Sequence, residues 1–339
     1  MKPTRTITDI DAASLPIEAV IECGEPAILK GVAKDWPLVR KGLEGARTAI
    51  DYLSGLDAGR PVVGYVGAPE IGGRFFYNDD LTRLNFEAKR VPFTEFLNRI
   101  ADHLDDPDAP SLYIGSTDLD FFLPGLGNDN KLPATLPPFS DYPPTTSIWI
   151  GNRTIASTHY DFSNNIACNL VGRRRFTLFP PDQIANLHPG PLEPTPGGQV
   201  VSMVDLRAPD FDRFPGFREA LDAAEFAELE PGDLLIYPAM WWHNVEALDP
   251  FNVMINYWWN AVPRFVDTPM ITLRHALLSL RDRPEHEKAA WRALFDYYVF
   301  GDPRQAAAHL PEHIQGPLAP MDETSARRLR ADVLDRLNR

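Results

Sequence analysis

The chain has 339 residues, of which 44% are hydrophobic and 24% are charged, as expected for a globular protein with a sizeable core. Its 33 prolines are close to twice the usual share of about 5%, and because proline breaks helix interiors, this composition argues against a helical bundle and favours a strand-built, loop-rich protein. The formal net charge of -14 disfavours polyanions, so we expect neither nucleic acid nor an anionic membrane as a partner.

Cysteine content and hydropathy indicate the compartment. Cys23 and Cys168 are too few for a disulfide framework or a thiolate zinc site, and we interpret them as free thiols in a reducing environment. The first residues contain no apolar run typical of a signal peptide, and no window reaches the ~18 apolar residues of a membrane span. We therefore expect a cytoplasmic protein.

Residues 1–110 mix strand and helix patterns and predict an N-terminal α+β extension packed on the region that follows. Short apolar runs bounded by glycine and proline predict strands at 27–29 and 61–66. Apolar residues from Phe93 to Ile100 recur at i, i+3, i+4 and i+7, which predicts a helix.

Residues 111–262 carry short strands separated by turn signals, a pattern typical of a sandwich or barrel. A proline-rich excursion at about 182–230 interrupts the series and exceeds ordinary loop lengths. It is either a functional insertion or a segment whose elements the pattern does not reveal. The strands are predicted at 112–114, 147–150, 165–170, 174–179, 234–237 and 252–259.

Residues 263–339 change to helical spacing. Apolar side chains recur from Met270 to Leu280, and a second stripe includes Trp291 and Tyr298. These helices either pack within their own chain or present a wide apolar face to a second copy. We expect the second arrangement, a homodimer formed through the C-terminal helices.

Three residues form a candidate metal centre. His159 and Asp161 stand two positions apart at a predicted strand start, where the period of two places both side chains on one face. His243 follows an apolar strand and a short turn and can supply a second imidazole. Two histidines and one carboxylate leave three positions open on Fe(II), which suits a bidentate cosubstrate and O2.

A His-x-Asp pair alone is a weak signal, and the remaining histidines lack a carboxylate at ligand spacing. We interpret the latter as structural or solvated: His103, His188, His275, His286, His309 and His313.

The motifs around the triad resemble the JmjC/cupin-like family of Fe(II)- and 2-oxoglutarate-dependent oxygenases, especially its asparaginyl-hydroxylase branch. The resemblance is ordered along about residues 20–262, and the helical tail resembles the dimerising tail of that branch. The matching segments are Glu25 to Leu29, Trp36-Pro37, His159-Tyr160-Asp161, Gly172 to Pro181, Asp212 to Phe217, Pro231-Gly232-Asp233, Trp241-Trp242-His243 and Ile255 to Trp258.

The resemblance implies a mainly β protein with a double-stranded β-helix (jelly-roll) core, an N-terminal α+β extension and C-terminal helices. It also implies that the triad holds Fe(II) and that 2-oxoglutarate is the cosubstrate. The positions that match cosubstrate contacts in the family are Tyr113, Asn165 and Asn256, the last also lying beside the metal.

Two positions depart from the family pattern. The lysine that binds the distal cosubstrate carboxylate falls at Arg174, and an assisting threonine falls at Ala156. A guanidinium stays charged and can grip a carboxylate bidentately, so we expect Arg174 to bind the cosubstrate. The alternatives are that Arg173 to Arg175 form a solvated turn, or that a different oxo acid or an altered pose is used.

Five of the seven tryptophans lie in the strand region. We expect most of them to fill the barrel core, although those at its mouth can wall a substrate pocket. Tyr160 and Cys168 have the strand parity opposite to the site residues, which predicts structural packing for both. The five tryptophans are Trp149, Trp241, Trp242, Trp258 and Trp259.

The sequence therefore predicts an Fe(II)/2-oxoglutarate-dependent dioxygenase that hydroxylates a protein or peptide side chain, an amino acid or another small molecule. Two alternatives stay open. One is a cupin-type metal-dependent enzyme that does not use 2-oxoglutarate. The other is a non-catalytic binding or regulatory module. This alternative stays open because Arg174 and Ala156 depart from the family's cosubstrate-binding pattern.

Overall fold

The computed structural model describes residues 1–11 and 13–338 and divides the chain into two compact units, Met1–Ala261 and Val262–Arg339. Among the described residues, no helix combines the length and the apolarity needed to cross a membrane.

The first unit is built from strands that fall into two sheets. In chain order the strands are β1 (Lys2–Pro3), β2 (Thr6–Ile7), β3 (Ala27–Leu29), β4 (Val62–Gly67), β5 (Arg74–Phe75), β6 (Phe86–Val91), β7 (Ser111–Asp118), β8 (Thr145–Gly151), β9 (Ile155–Tyr160), β10 (Asn164–Val171), β11 (Arg174–Phe179), β12 (Glu225–Leu229), β13 (Leu234–Tyr237), β14 (Trp242–Ala247) and β15 (Asn252–Trp259).

Helices are few in this unit and lie before or between the strands. They are α1 (Ile17–Cys23), α2 (Pro37–Glu44), α3 (Ala46–Ser54), α4 (Phe93–Asp102), α5 (Leu119–Phe122) and α6 (Phe217–Ala223).

The strand order identifies a jelly roll. The smaller sheet runs β1-β12-β11-β14-β9-β5 and the larger runs β2-β3-β13-β10-β15-β8-β7-β4-β6. From β8 to β11, and again from β12 to β15, successive strands alternate between the two sheets, and the four central strands of each sheet pair antiparallel. The predicted double-stranded β-helix core is confirmed.

The larger sheet separates two packed layers, as the alternation along β10 shows. Ile166, Cys168 and Leu170 pack into the main core, which also contains the apolar faces of α2, α3 and α4. Ala167 faces the space between the sheets, and Asn165 shares its parity. Cys168 is therefore a packing residue, as its parity predicted. The sheet interlayer is the space in which the candidate site lies.

The residues before 111 contribute to both sheets. The strands predicted at 27–29 and 61–66 are present as β3 and β4, and the predicted helix is α4. β4 and β6 extend the larger sheet beyond β7, whereas β5 adds a parallel strand to the edge of the smaller sheet beside β9. Residues 1–110 thereby help to enclose the interlayer.

The excursion between β11 and β12 has elements of its own. It holds a 3-10 turn at Pro181–Ala185 and α6, whose Phe217 packs with Phe179. Tyr160 belongs to the same apolar cluster and contacts Trp242, with ring centroids 4.6 Å apart. The prediction that Tyr160 is structural agrees with this packing.

The second unit is helical, as predicted, and many of its apolar side chains are exposed. A π-helical turn at Asp296–Phe300 continues its second helix, and Asp322 caps its last helix in a capping box with Ser325. Its helices are α7 (Pro269–Ser279), α8 (Glu285–Phe295), α9 (Pro303–Ala307) and α10 (Glu323–Leu337).

Candidate metal centre

The structure brings His159, Asp161 and His243 together in the sheet interlayer. His159 and His243 are direct partners across β9 and β14, and their ring centroids are 4.3 Å apart. Nε2 of His243 lies 3.7 Å from Oδ2 of Asp161, and one ligand atom from each of the three residues lies within 4.8 Å of the others. The three side chains present two nitrogens and one carboxylate to a common point.

One detail of the prediction is wrong. His159 and Asp161 lie at the end of β9 and just after it, not at a strand start. The small polar residues Ser157 and Thr158 hide the strand in the sequence, but β9 pairs with β14 on one side and β5 on the other. The parity argument still applies, because both ligands remain two positions apart on an extended segment.

Backbone carbonyls fix the orientation of both imidazoles. Nδ1 of His159 lies 2.8 Å from the carbonyl oxygen of Ser157, and Nδ1 of His243 lies 3.0 Å from that of Trp241. With Nδ1 donating, each ring directs the lone pair of Nε2 towards the common point. Burial, reinforced by neighbouring His159, lowers the pKa of His243 to about 4, so this imidazole is neutral and able to bind a metal at physiological pH.

A pair of amides orients the carboxylate. Nδ2 of Asn165 donates to Oδ2 of Asp161 at 2.9 Å, and Nδ2 of Asn256 donates to Oδ1 of Asn165 at 2.7 Å. Asn256 lines the cavity, whereas the fully buried Asn165 stands behind it. In the structure Asn165 therefore contacts the carboxylate of Asp161, a candidate metal ligand. Its contact with the cosubstrate stays a prediction.

Arg174 is a buried cation to which the described part of the chain offers no counter-charge. Its side chain points inward from β11 and is 3% exposed. Nη1 lies 3.4 Å from the Met254 sulfur, and Nε has no hydrogen-bond partner among the residues that the structure describes. Across the described residues, no carboxylate forms an ion pair with it. Burial lowers the pKa of Arg174 to about 10, which still leaves the guanidinium charged at neutral pH.

The neighbours of Arg174 behave differently. Arg173 pairs with Asp249 and Arg175 with Glu228, both at the surface. The alternative of a solvated arginine turn therefore holds for Arg173 and Arg175 but is wrong for Arg174, because strand alternation turns the middle residue inward.

Tyr113 on β7 lies close to this cation. Burial raises the pKa of the Tyr113 phenol, and the positive charge of Arg174 acts in the opposite direction. The Tyr113 ring stacks on Trp149 with centroids 5.9 Å apart. The Ala156 methyl lines the same cavity. A neutral phenol and a guanidinium thus lie at one end of the interlayer, and the metal ligands lie farther along it.

A cavity of about 700 Å³ opens over the triad, a volume typical of small-molecule sites. Trp149, Trp258 and Trp259 line it, but Trp259 is also buried in the main core, so only Trp149 and Trp258 serve chiefly as the pocket wall that the sequence analysis allowed. Trp241 and Trp242 do pack in apolar clusters.

Sequence reasoning missed several lining residues. Tyr237 lies opposite Asn165 across β13 and β10, and burial raises its pKa. Strand parity could have found it, because Leu235 on the same face is buried in the interlayer. Gln199 comes from the excursion, where no periodic signal exists.

The residues fit the groups that the sequence implies. Two imidazoles and one carboxylate are a donor set suited to Fe(II) with open positions. The unpartnered Nε of Arg174 fits an anionic ligand, because buried polar groups in proteins almost always have a partner.

Similarity to known proteins extends over most of the chain. A family described as "Cupin-like domain" matches residues 12–265. HSPB1-associated protein 1 of Rattus norvegicus is 29% identical over 266 residues, which cover 71% of this chain and 50% of that protein. tRNA wybutosine-synthesizing protein 5 of Gallus gallus is 27% identical over 251 residues, 67% of this chain and 71% of that protein.

A third relative, lysine-specific demethylase 8 of Xenopus tropicalis, is 25% identical over 239 residues, which cover 70% of this chain and 48% of that protein. The chain therefore spans about half the length of the rat and frog proteins.

Proposed function

The chain belongs to the cupin-like, JmjC-like family that its motifs predict, and from that premise we propose that it is an Fe(II)- and 2-oxoglutarate-dependent oxygenase. Its substrate would be a protein side chain or a small molecule. The observation that carries the proposal is the buried, unpaired Arg174 in the interlayer that also holds the His159, Asp161 and His243 triad. A cation in this environment needs an anion, and the cosubstrate supplies one.

His159 and His243 would bind Fe(II) through Nε2, and Asp161 would bind it through its carboxylate. The hydrogen bonds from Nδ1 hold the tautomer that this requires, and the bond from Asn165 holds the carboxylate in place. Such contacts behind the ligands usually contribute 10–100-fold to metal affinity. The triad is thus oriented by its surroundings before a metal binds.

Arg174 and Tyr113 would bind the distal carboxylate of 2-oxoglutarate. The guanidinium offers charge and two parallel donors, and the neutral phenol offers one more. When bound, Fe(II) with 2-oxoglutarate supplies oxidation by O2, in which the oxo acid becomes succinate and CO2 and a substrate C–H becomes C–OH. The apolar walls exclude water from this chemistry.

An anaerobic titration tests the proposal. Fe(II) is added to the protein, followed by 2-oxoglutarate, and the visible spectrum is recorded. We expect a weak charge-transfer band that appears only with both ligands and saturates at one equivalent. Asp161→Ala should abolish the band, and Arg175→Gln, which changes an exposed neighbour of Arg174, should leave it unchanged.

The remaining outcomes identify the alternatives. Iron binding without the band contradicts the proposal and favours a metal-dependent enzyme that does not use 2-oxoglutarate. Absence of iron binding, with Asp161→Ala indistinguishable from wild type, favours a non-catalytic binding module.

A further inference from the structure

One side of the cavity is a continuous row of aromatic rings. We call it the aromatic wall; its members are Tyr65, Phe75, Phe86, Tyr113, Trp149 and Trp258.

Each ring of the aromatic wall contacts the next. Phe75 and Phe86 have centroids 5.0 Å apart, and Phe75 and Tyr113 lie 5.6 Å apart. The row continues from Tyr113 to Trp149 at 5.9 Å and from Trp149 to Trp258 at 5.7 Å. The rings come from strands β4 to β8 and β15, which are spread along the sequence, so only folding brings them together into one apolar surface.

The cavity offers almost no charge to a substrate. Among the residues that line it in the described chain there is no lysine or arginine, and the only carboxylate is the metal ligand Asp161. Arg174 lies close to Tyr113, a member of the wall, but the proposed function assigns this cation to the cosubstrate, so it is not free to bind a phosphate of the substrate. An ammonium would find no free anion, since Asp161 is committed to the metal site.

Aromatic rings can also bind cations, so their arrangement decides the class of ligand. A cage for an ammonium group holds several ring faces around an empty centre. Here Trp149 and Tyr113 stack on each other at 27°, and Trp258 meets Trp149 edge to face at 90°. The rings occupy one another's faces and edges, so they form a continuous aromatic surface and do not surround an empty centre. Such a surface favours a planar apolar group lying against it.

The aromatic wall also holds unsatisfied donors. The indole Nε1 atoms of Trp149 and Trp258 are buried and have no hydrogen-bond partner among the described residues. Buried N–H groups are rarely left unpaired in proteins. An acceptor oxygen on the bound molecule would satisfy them.

On the basis of the proposed function, we infer that the substrate places an uncharged aromatic group with a neighbouring carbonyl or hydroxyl oxygen against this wall. Lysine-like and phosphate-bearing groups are excluded by the same surface. Burial of the ring supplies affinity, and the indole donors supply orientation.

Three capped amino acids test this inference, because they share one backbone and differ only in the side chain. The probes are N-acetyl tryptophanamide, N-acetyl trimethyl-lysinamide and N-acetyl phosphotyrosinamide. Binding is measured by NMR on protein loaded with Zn(II), with and without 2-oxoglutarate, so that no turnover occurs. We expect the tryptophan probe to bind at least about 10-fold more tightly than either charged probe.

Variants locate the binding surface. Phe75→Ala should weaken binding of the tryptophan probe about 10-fold, because a large apolar contact is lost. Trp258→Phe keeps an aromatic ring but removes the indole N–H donor, and it should weaken binding of the tryptophan probe about 5-fold. Phe121→Ala, which changes an exposed aromatic residue that is not part of the cavity lining, is the matched control and should have no effect.

The affinity for 2-oxoglutarate is measured separately in every protein, which shows that the variants are folded. If a charged probe binds more tightly, if the tryptophan probe does not bind, or if Phe75→Ala binds it normally, the inference is wrong. If wild type fails to bind 2-oxoglutarate, the proposed function fails instead, and the ranking of the three probes on metal-loaded protein still decides the substrate class.

Discussion

At the scale of single residues, Arg174 shows how one position can serve function at the expense of stability. A buried ion without a partner carries a desolvation penalty of several kcal/mol. Its exposed neighbours Arg173 and Arg175 carry no such penalty, because acidic residues and water surround them. Folding alone does not favour a guanidinium between the sheets, so we interpret it as part of a ligand site.

Replacing Arg174 should therefore have opposite effects on stability and on binding. Arg174→Met is expected to raise the free energy of unfolding of the ligand-free protein by about 2 kcal/mol, because an apolar side chain takes the place of an unpaired charge. The same variant should no longer gain thermal stability when 2-oxoglutarate is added. Denaturant titration and thermal melting measure the two effects.

Arg175→Met is the matched control for this experiment. It removes a surface ion pair and should change stability by less than about 1 kcal/mol, with 2-oxoglutarate stabilisation retained. A lower stability for ligand-free Arg174→Met would show that the charge is satisfied within the protein, contrary to our account.

Asn165 is expected to act through Asp161. Asn165→Leu removes the hydrogen bond to the ligand carboxylate and should lower Fe(II) affinity 10–100-fold, the usual effect of losing a contact behind a metal ligand. Competition with a chelator under anaerobic conditions measures this affinity. Asn260→Ala, which changes an exposed residue of the cavity lining, should bind iron normally. Equal affinities for the two variants would refute the positioning role.

At the scale of elements, two hydrogen-bonded turns flank β13, and the second of them contacts the site. Before the strand, Asp233 is buried and accepts hydrogen bonds from Lys30 and from the backbone of Gly31 and Glu230. After the strand, the backbone N–H of Met240 donates to the carbonyl of Asp161 at 2.8 Å. The second turn thus links the segment that carries His243 to the segment that carries Asp161.

Met240 has a φ of 68°, a left-handed conformation that disfavours side chains branched at Cβ. Met240→Gly should therefore raise the free energy of unfolding by about 0.5–1 kcal/mol, whereas Met240→Val should lower it by about 1–2 kcal/mol. Urea denaturation measures both variants. Equal stability of the valine and methionine proteins would show that this turn carries no strain.

Many helices and strands could be predicted from the sequence, but which strands become neighbours in the sheets could not. Periodicity predicted β3, β4, α4 and six barrel strands (β7, β8, β10, β11, β13 and β15), because it reports which face of an element is buried, but it missed the barrel strands β9, β12 and β14. It did not reveal α6, which buries only Phe217 and Ala220. It also missed the aromatic wall and the bond from Asn165 to Asp161, because these depend on which strands become neighbours. The His-x-Asp spacing identified the ligands even though their place on β9 was wrong.

At the scale of the whole molecule, charge is distributed unevenly. Residues 1–261 contain 36 acidic and 21 basic side chains, whereas residues 262–339 contain 11 and 12. Like-charged barrel units repel each other, but the nearly neutral second unit does not oppose self-association. Its exposed apolar side chains include Trp291, Leu294 and Tyr298, which recur at helical spacing on α8 and the following turn.

The predicted homodimer depends on this apolar stripe. Sedimentation velocity at micromolar concentration should give a dimer for wild type and a monomer for the double variant Trp291→Glu, Leu294→Glu, because two charges would be buried at the interface. Arg292→Glu changes charge on the same helix at another position and should stay dimeric. A monomeric wild type would contradict the dimer and favour packing of these helices within their own chain.

The central claim is that the triad and Arg174 bind Fe(II) and 2-oxoglutarate together. The most direct measurement is a crystal structure of the protein grown anaerobically with both ligands. We predict metal density between His159, Asp161 and His243, with one end of the oxo acid at the metal and its distal carboxylate within hydrogen-bond distance of the Arg174 guanidinium. A metal bound elsewhere, or an oxo acid that leaves Arg174 without an anionic partner, would contradict the account.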